Sequence, residues 1–110
     1  MAAEIEAVNA IIQNYIDDIK KAMPIDKVYL YGSYAKGTQQ KNSDIDICFF
    51  SRAFESRRTL DVLTDLFFLK IKYDKDILIQ PNAFSTSELH NDNPFVKEIL
   101  QTGREITKKV

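Results

Sequence analysis

The stretch "YGSYAKGTQQKNSDIDICFF", from Tyr31 to Phe50, limits the folds open to this chain more than any other. A polar run punctuated by two glycines leads directly into an apolar segment that carries Asp44 and Asp46. Residues two apart on a strand point the same way. Asp44, Asp46 and Cys48 therefore share one face, with Ile45, Ile47 and Phe49 on the other. An unpaired buried charge is strongly destabilising, so two carboxylates in an apolar strand need a stated reason.

The flanking segments give the frame. From Ala3 to about Met23, Ile5, Val8, Ile12, Tyr15, Ile16, Ile19 and Met23 recur at three-and-four spacing, which predicts an amphipathic helix closed by Pro24. "KVYLYG" predicts a strand over Val28 to Tyr31, and Asp44 to Phe50 a second one beyond the loop from Gly32 to Ser43. "RRTLDVLTDLFFLKIK" reads as a helix with Leu60, Leu63, Phe67 and Ile71 on one side and Val62, Leu66 and Leu69 widening the stripe. "DKDILIQP" reads as a third strand ended by Pro81. A capping box is expected from Ser85 to Glu88. A last helix is expected from Pro94, capped by Asn93 or Asp92 and ended by Gly103. The order implies an α/β (α+β) domain with a small mixed sheet of three or more strands, covered on one face by helices. The face near the aspartates is expected to stay partly open.

A length of 110 residues is enough for one domain spanning 1–110. Fifteen basic residues nearly cancel sixteen acidic ones, which argues against a dedicated nucleic-acid binder. Cys48 is the only cysteine, so no internal disulfide is possible, and it reads as a small buried hydrophobe. The acidic start is unlike a secretion leader, and no apolar run reaches the length of a membrane span. A cytoplasmic location is the expectation. His90, in a polar turn-like stretch, and Arg57-Arg58 read as surface residues.

Two like charges this close raise one pKa unless a cation lies between them. Oxygen ligands favour a hard ion, so Mg²⁺ or Mn²⁺ fits and zinc does not. Gly32-Ser33 ends a strand and leads into "YAKG", which opens a short helix. Glycine admits an anion close to the backbone, while helix-start amides and the Ser33 hydroxyl can donate to it. Each piece also has a plainer reading: Gly32 as a turn, Ser33 as a cap, Lys36 as a solvated lysine. Together they suit a metal-bound triphosphate.

"GS", ten intervening residues, then "DID" resembles the signature of the DNA polymerase β-like nucleotidyltransferase superfamily, and most closely its minimal nucleotidyltransferase (MNT) branch. The core of the likeness is Val28 to Phe50, with a looser one through "NPFVKEILQTGREI". The resemblance implies a third carboxylate on the strand after the intervening helix, where Asp76 fits better than Asp74. It also implies transfer of a nucleoside monophosphate from an NTP, expected to be ATP, to an acceptor hydroxyl. Two Mg²⁺ ions (or Mn²⁺) about 3.5–4 Å apart would clamp the attacking and leaving oxygens. Asp44, Asp46 and Asp76 are then the metal-binding and catalytic acids. Gly32, Ser33, Lys36 and Tyr34 are the nucleotide-binding residues, with Tyr34 the best of several aromatics to stack on a base.

MNT proteins are commonly encoded beside a helical HEPN protein, in what looks like a toxin–antitoxin pair. The resemblance thus implies a HEPN-type toxin as partner, neutralised by AMP transfer to one of its tyrosines. A nucleic-acid acceptor stays open, as do a hetero-oligomer and a homodimer. The alternative from another class is a non-catalytic antitoxin that acts by binding alone. Sugar-nucleotide glycosyltransferases share the Asp-x-Asp but not the Gly-Ser at this spacing.

Overall fold

Helix α1 (Ala2–Ala22) buries Val8, Ile12, Tyr15, Ile16 and Ile19, so the stripe read from its sequence is the one the core uses. The structure, a computed structural model, describes residues 2–39, 44–74 and 77–107. After α1 come β1 (Lys27–Tyr31), the short α2 (Ser33–Lys36) and β2 (Ile45–Phe50). Then follow α3 (Thr59–Lys70), β3 (Ile79–Phe84), α4 (Pro94–Thr102) and β4 (Arg104–Glu105). Three short 3₁₀ turns lie between them, at Arg52–Ser56, Ile71–Tyr73 and Thr86–Leu89.

The sheet has the order β3-β2-β1-β4. β1 and β2 are antiparallel, with Tyr31 opposite Asp46. β2 and β3 are parallel, joined through α3, with Asp46 beside Gln80 and Cys48 beside Asn82. A parallel neighbour needs such a crossover, and the apolar inner face of α3 supplies it. Alternation along β2 then sorts the core. Ile45, Ile47 and Phe49 join Val28, Leu30 and Ile79 under α1 and α3. Cys48 and Phe50 turn the other way, against Val96 and Ile99 of α4. The long helices thus cover one face, and α4 closes part of the other while Asp46 stays half-buried.

Tyr15 ties α1 to α3. Its ring is buried edge-on to Phe49, and its hydroxyl donates to the Leu66 carbonyl at 2.8 Å. A second aromatic seam runs from Phe50 through Phe84 and Phe95 to Tyr31, holding α4 on its face.

Several expectations are corrected in detail. α3 buries Val62 and Leu66, while Leu60, Phe67 and Ile71 face outward. The helix is apolar on both sides, so spacing alone could not choose the inner one. Pro81 does not end β3 but sits inside it, opposite Ile47. β3 is an edge strand, where a residue without an N–H costs no ladder bond on the open side. Ser85 forms no capping box: its hydroxyl meets that of Ser87, and a 3₁₀ turn follows. The Asn93 cap is present, its side-chain oxygen accepting from Phe95 N and Val96 N at 3.0 and 3.3 Å. Gly103 ends α4 through close approach rather than a left-handed turn. Its backbone is extended, and a Cβ there would lie 2.5 Å from the Ile99 carbonyl and 2.9 Å from that of Leu30. That approach lets β4 pair with β1, a two-residue strand too short to read from sequence.

Candidate active site

The hairpin of β1 and β2 brings the glycine loop and the acid pair together. Gly32 follows Tyr31, and Tyr31 stands opposite Asp46 across the ladder. The Gly32 backbone is left-handed, with φ +73° and ψ −153°, a region an L side chain rarely enters. A Cβ at Gly32 would sit 2.2 Å from Asp46 Oδ2. Glycine is required there twice over, by conformation and by the carboxylate pressed against it. The Gly32 carbonyl then accepts from Ala35 N and Lys36 N at 3.2 and 3.1 Å, starting α2. The first amides of that turn, at Ser33 and Tyr34, have no partner within the helix itself. Gly37 closes α2 in a left-handed cap, its N–H donating to the Ser33 carbonyl.

Among the described residues the Ser33 hydroxyl has no hydrogen-bond partner, and exposed Lys36 makes no ion pair. Both are free to meet a ligand. Tyr34 is half-buried and packs against the main core. Asp44 stands half-buried just before β2. Burial, and then the charge of Asp44, push the Asp46 carboxyl above the usual carboxylate range. A cation at this position would relieve both effects, since it replaces lost hydration and separates like charges. The donors present are carboxylate oxygens, which suit Mg²⁺ or Mn²⁺.

The third carboxylate is less direct. Asp76 lies outside the described residues. Asp74, its rival, is engaged elsewhere: it pairs with Lys70, and its other oxygen accepts from Ile79 N at 3.0 Å, shaping the entry to β3. Among the described residues no three acidic, histidine or cysteine side chains gather into a metal-holding group.

Parallel pairing adds neighbours that the sequence did not single out. Gln80 lies beside Asp46 on β3. Asn82 donates to the Tyr31 hydroxyl at 2.8 Å, a bridge from β3 to β1 over the intervening β2. Burial pushes the Tyr31 hydroxyl up to about 12, the Asn82 bond opposing it and Asp46 adding to it. The bridge separates the acidic end of the face from the apolar cluster under α4. The even spacing of 80 and 82 was legible, but not which strand they would join. Cys48 is buried in that cluster, where burial pushes its thiol up, and His90 is exposed. Arg57 holds Asp65 at 2.7 Å on the surface.

Comparisons with known proteins bear on the family and the fold. Residues 12–109 match the family described as polymerase beta, nucleotidyltransferase. The chain superposes on a candidate nucleotidyltransferase from Sulfolobus solfataricus with a TM-score of 0.57, at 15% identity, over 89% of this chain and 78% of that one. It also superposes on a toxin–antitoxin crystallised with AMP-PNP, with a TM-score of 0.55 at 25% identity, over 89% and 71%. No curated protein matches the chain in sequence. The chain belongs to the polymerase beta nucleotidyltransferase family.

Two expected outcomes follow from the contact at Gly32. Gly32→Ala should lower stability in chemical denaturation by about 2 kcal/mol or more, because strain and the clash with Asp46 add. Gly37→Ala, also left-handed but in open space, should cost only about 1 kcal/mol. Asp46→Asn should raise the melting temperature at neutral pH in the absence of metal. The sign follows from the raised carboxyl: the unfolded chain ionises first, so stability falls as pH rises from the ordinary aspartate value through the folded one. The gain should therefore vanish below about pH 3.8, where both states are protonated.

Proposed function

We propose that this member of the nucleotidyltransferase family moves AMP from ATP to a hydroxyl of a partner protein and thereby silences that partner. The observation that carries the reading is Asp46 pressed on Gly32, with Asp44 two residues before it, at the head of a turn whose first amides, at Ser33 and Tyr34, have no partner within the helix. Asp44, Asp46 and Asp76 would hold Mg²⁺, Asp76 being favoured because Asp74 is bound to Lys70 and the β3 backbone. The bound metal would lower the charge barrier between triphosphate and nucleophile. Gly32, Ser33 and Lys36 would hold the β- and γ-phosphates, so that little motion remains before in-line attack.

In the reaction the acceptor oxygen forms a bond to the α-phosphorus, and the bond from that phosphorus to the pyrophosphate oxygen breaks. Asp76 accepts the proton that the hydroxyl loses. Pyrophosphate leaves. The half-buried face beside Asp46, closed on its apolar side by the Tyr31–Asn82 bridge, limits water at the reacting atoms. The 25% identical neighbour is a toxin–antitoxin seen with an ATP analogue, which supports a toxin as acceptor and an adenine nucleotide as donor. A HEPN toxin tyrosine is the acceptor we favour. No helix among the described residues is long and apolar enough to cross a membrane. That suits a cytoplasmic reaction.

The test uses ATP labelled separately at the α- and γ-phosphates, with Mg²⁺ and the protein encoded beside this chain. Label from the α-position should reach the neighbour, and an Asp44→Asn/Asp46→Asn variant should lower the rate by about 100- to 1,000-fold. No transfer from any NTP, together with full silencing by that variant, would instead make the protein a binding antitoxin.

A further inference from the structure

Helix α3 is apolar on the side that the core does not use. Leu60, Phe67, Phe68 and Ile71 are 66%, 41%, 73% and 64% exposed. With Thr64 they fall at the i, i+4, i+7, i+8, i+11 spacing of one continuous helix stripe. The four side chains expose roughly 500 Å² of apolar surface. That is at the upper end of what isolated monomers show, and it approaches the ~800 Å² per partner of a standard interface. The single polar member costs little to cover, since the Thr64 hydroxyl already donates to the Leu60 carbonyl at 2.8 Å.

We infer that this stripe pairs with the same stripe of a second copy of the chain, the two α3 helices antiparallel about a two-fold axis near residues 65 and 66. The stripe is complementary to itself in that arrangement. Leu60 meets Ile71 of the other copy at both ends. In the middle the small Thr64 lies opposite the large Phe67, so that rings fill gaps rather than collide.

Charge agrees with shape. Asp61 and Lys72 flank the stripe on the same side, and antiparallel two-fold pairing brings same-side flanks face to face. Asp61 makes no ion pair among the described residues, and it comes opposite Lys72 of the second copy. Lys72, itself exposed, holds Asp18 at 3.0 Å and has donors left over. Two other cations beside the helix are paired within the chain, Arg57 with Asp65 and Lys70 with Asp74. The aspartate face lies across the sheet from α3, so pairing leaves the candidate active site open.

Sedimentation equilibrium of the full chain should give the mass of a dimer, and Phe68→Glu should halve it without changing the circular dichroism. Crosslinking fixes the arrangement. Leu60 and Ile71 are too far apart along one helix to form a disulfide within a chain. Under oxidation the Leu60→Cys/Ile71→Cys variant should therefore yield a covalent dimer, and neither single variant should. Buried Cys48 gives no competing product. Wild-type chain that sediments as a monomer overturns the inference, as does a dimer that survives Phe68→Glu. Crosslinking by a single variant would mean parallel helices and equally contradicts it. If the chain is monomeric alone and covers α3 only with a different protein, the face belongs to that protein and the self-pairing is wrong.

Discussion

The carboxylate of Asp46 rests against the α-carbon of Gly32, so closely that a Cβ there would lie 2.2 Å from Oδ2. The contact joins the two halves of the candidate site. It requires the positive-φ backbone at Gly32, where β1 turns into α2. It also requires β1 and β2 to keep their register, because a one-residue slip would send Asp46 into the core and Ile45 or Ile47 into solvent. The core enforces that register through Ile45, Ile47 and Phe49, which are buried on the opposite face. The fold and the placing of Asp46 therefore both depend on the register of β2.

A half-buried acid pair works against stability. Asp46 is held above its ordinary pKa by burial first and Asp44 second, and no basic side chain of the described residues makes an ion pair with it. Other acids of the chain are treated differently. Asp18, Asp26 and Asp74 are each hydrogen-bonded or ion-paired. Hydrogen bonds draw Asp18 and Asp26 below the usual range. Asp46, by contrast, is half-buried with no such partner among the described residues, the pattern of a perturbed acid at a candidate site.

Much of this was legible in the sequence, for physical reasons that differ between elements. α1 was clear because one side is apolar and the other is not. The faces of β2 were clear because alternation has no ambiguity. The Gly-Ser and Asp-Ile-Asp spacing pointed to a candidate site, and the β1–β2 hairpin brings those residues together. α3 was not legible, because both of its sides are apolar and only the sheet decides which is inner. β3 was misplaced by a few residues because Pro81 is tolerated at an open edge, a property of topology rather than of sequence. Gln80 and Asn82 joined the candidate site only through the parallel pairing of β2 with β3, which also brings Asn82 to the Tyr31 hydroxyl. Long-range pairing leaves no local signal.

The claim on which the rest stands is that Asp46, beside Gly32, holds a divalent cation for a triphosphate. Mn²⁺ binding followed by electron paramagnetic resonance, with and without ATP, tests it directly on the full chain and on Asp46→Asn. The account predicts that the wild-type chain binds Mn²⁺, that ATP tightens the binding, and that the variant loses both effects. Equal Mn²⁺ binding by the variant, or ATP binding that is indifferent to metal, would contradict it.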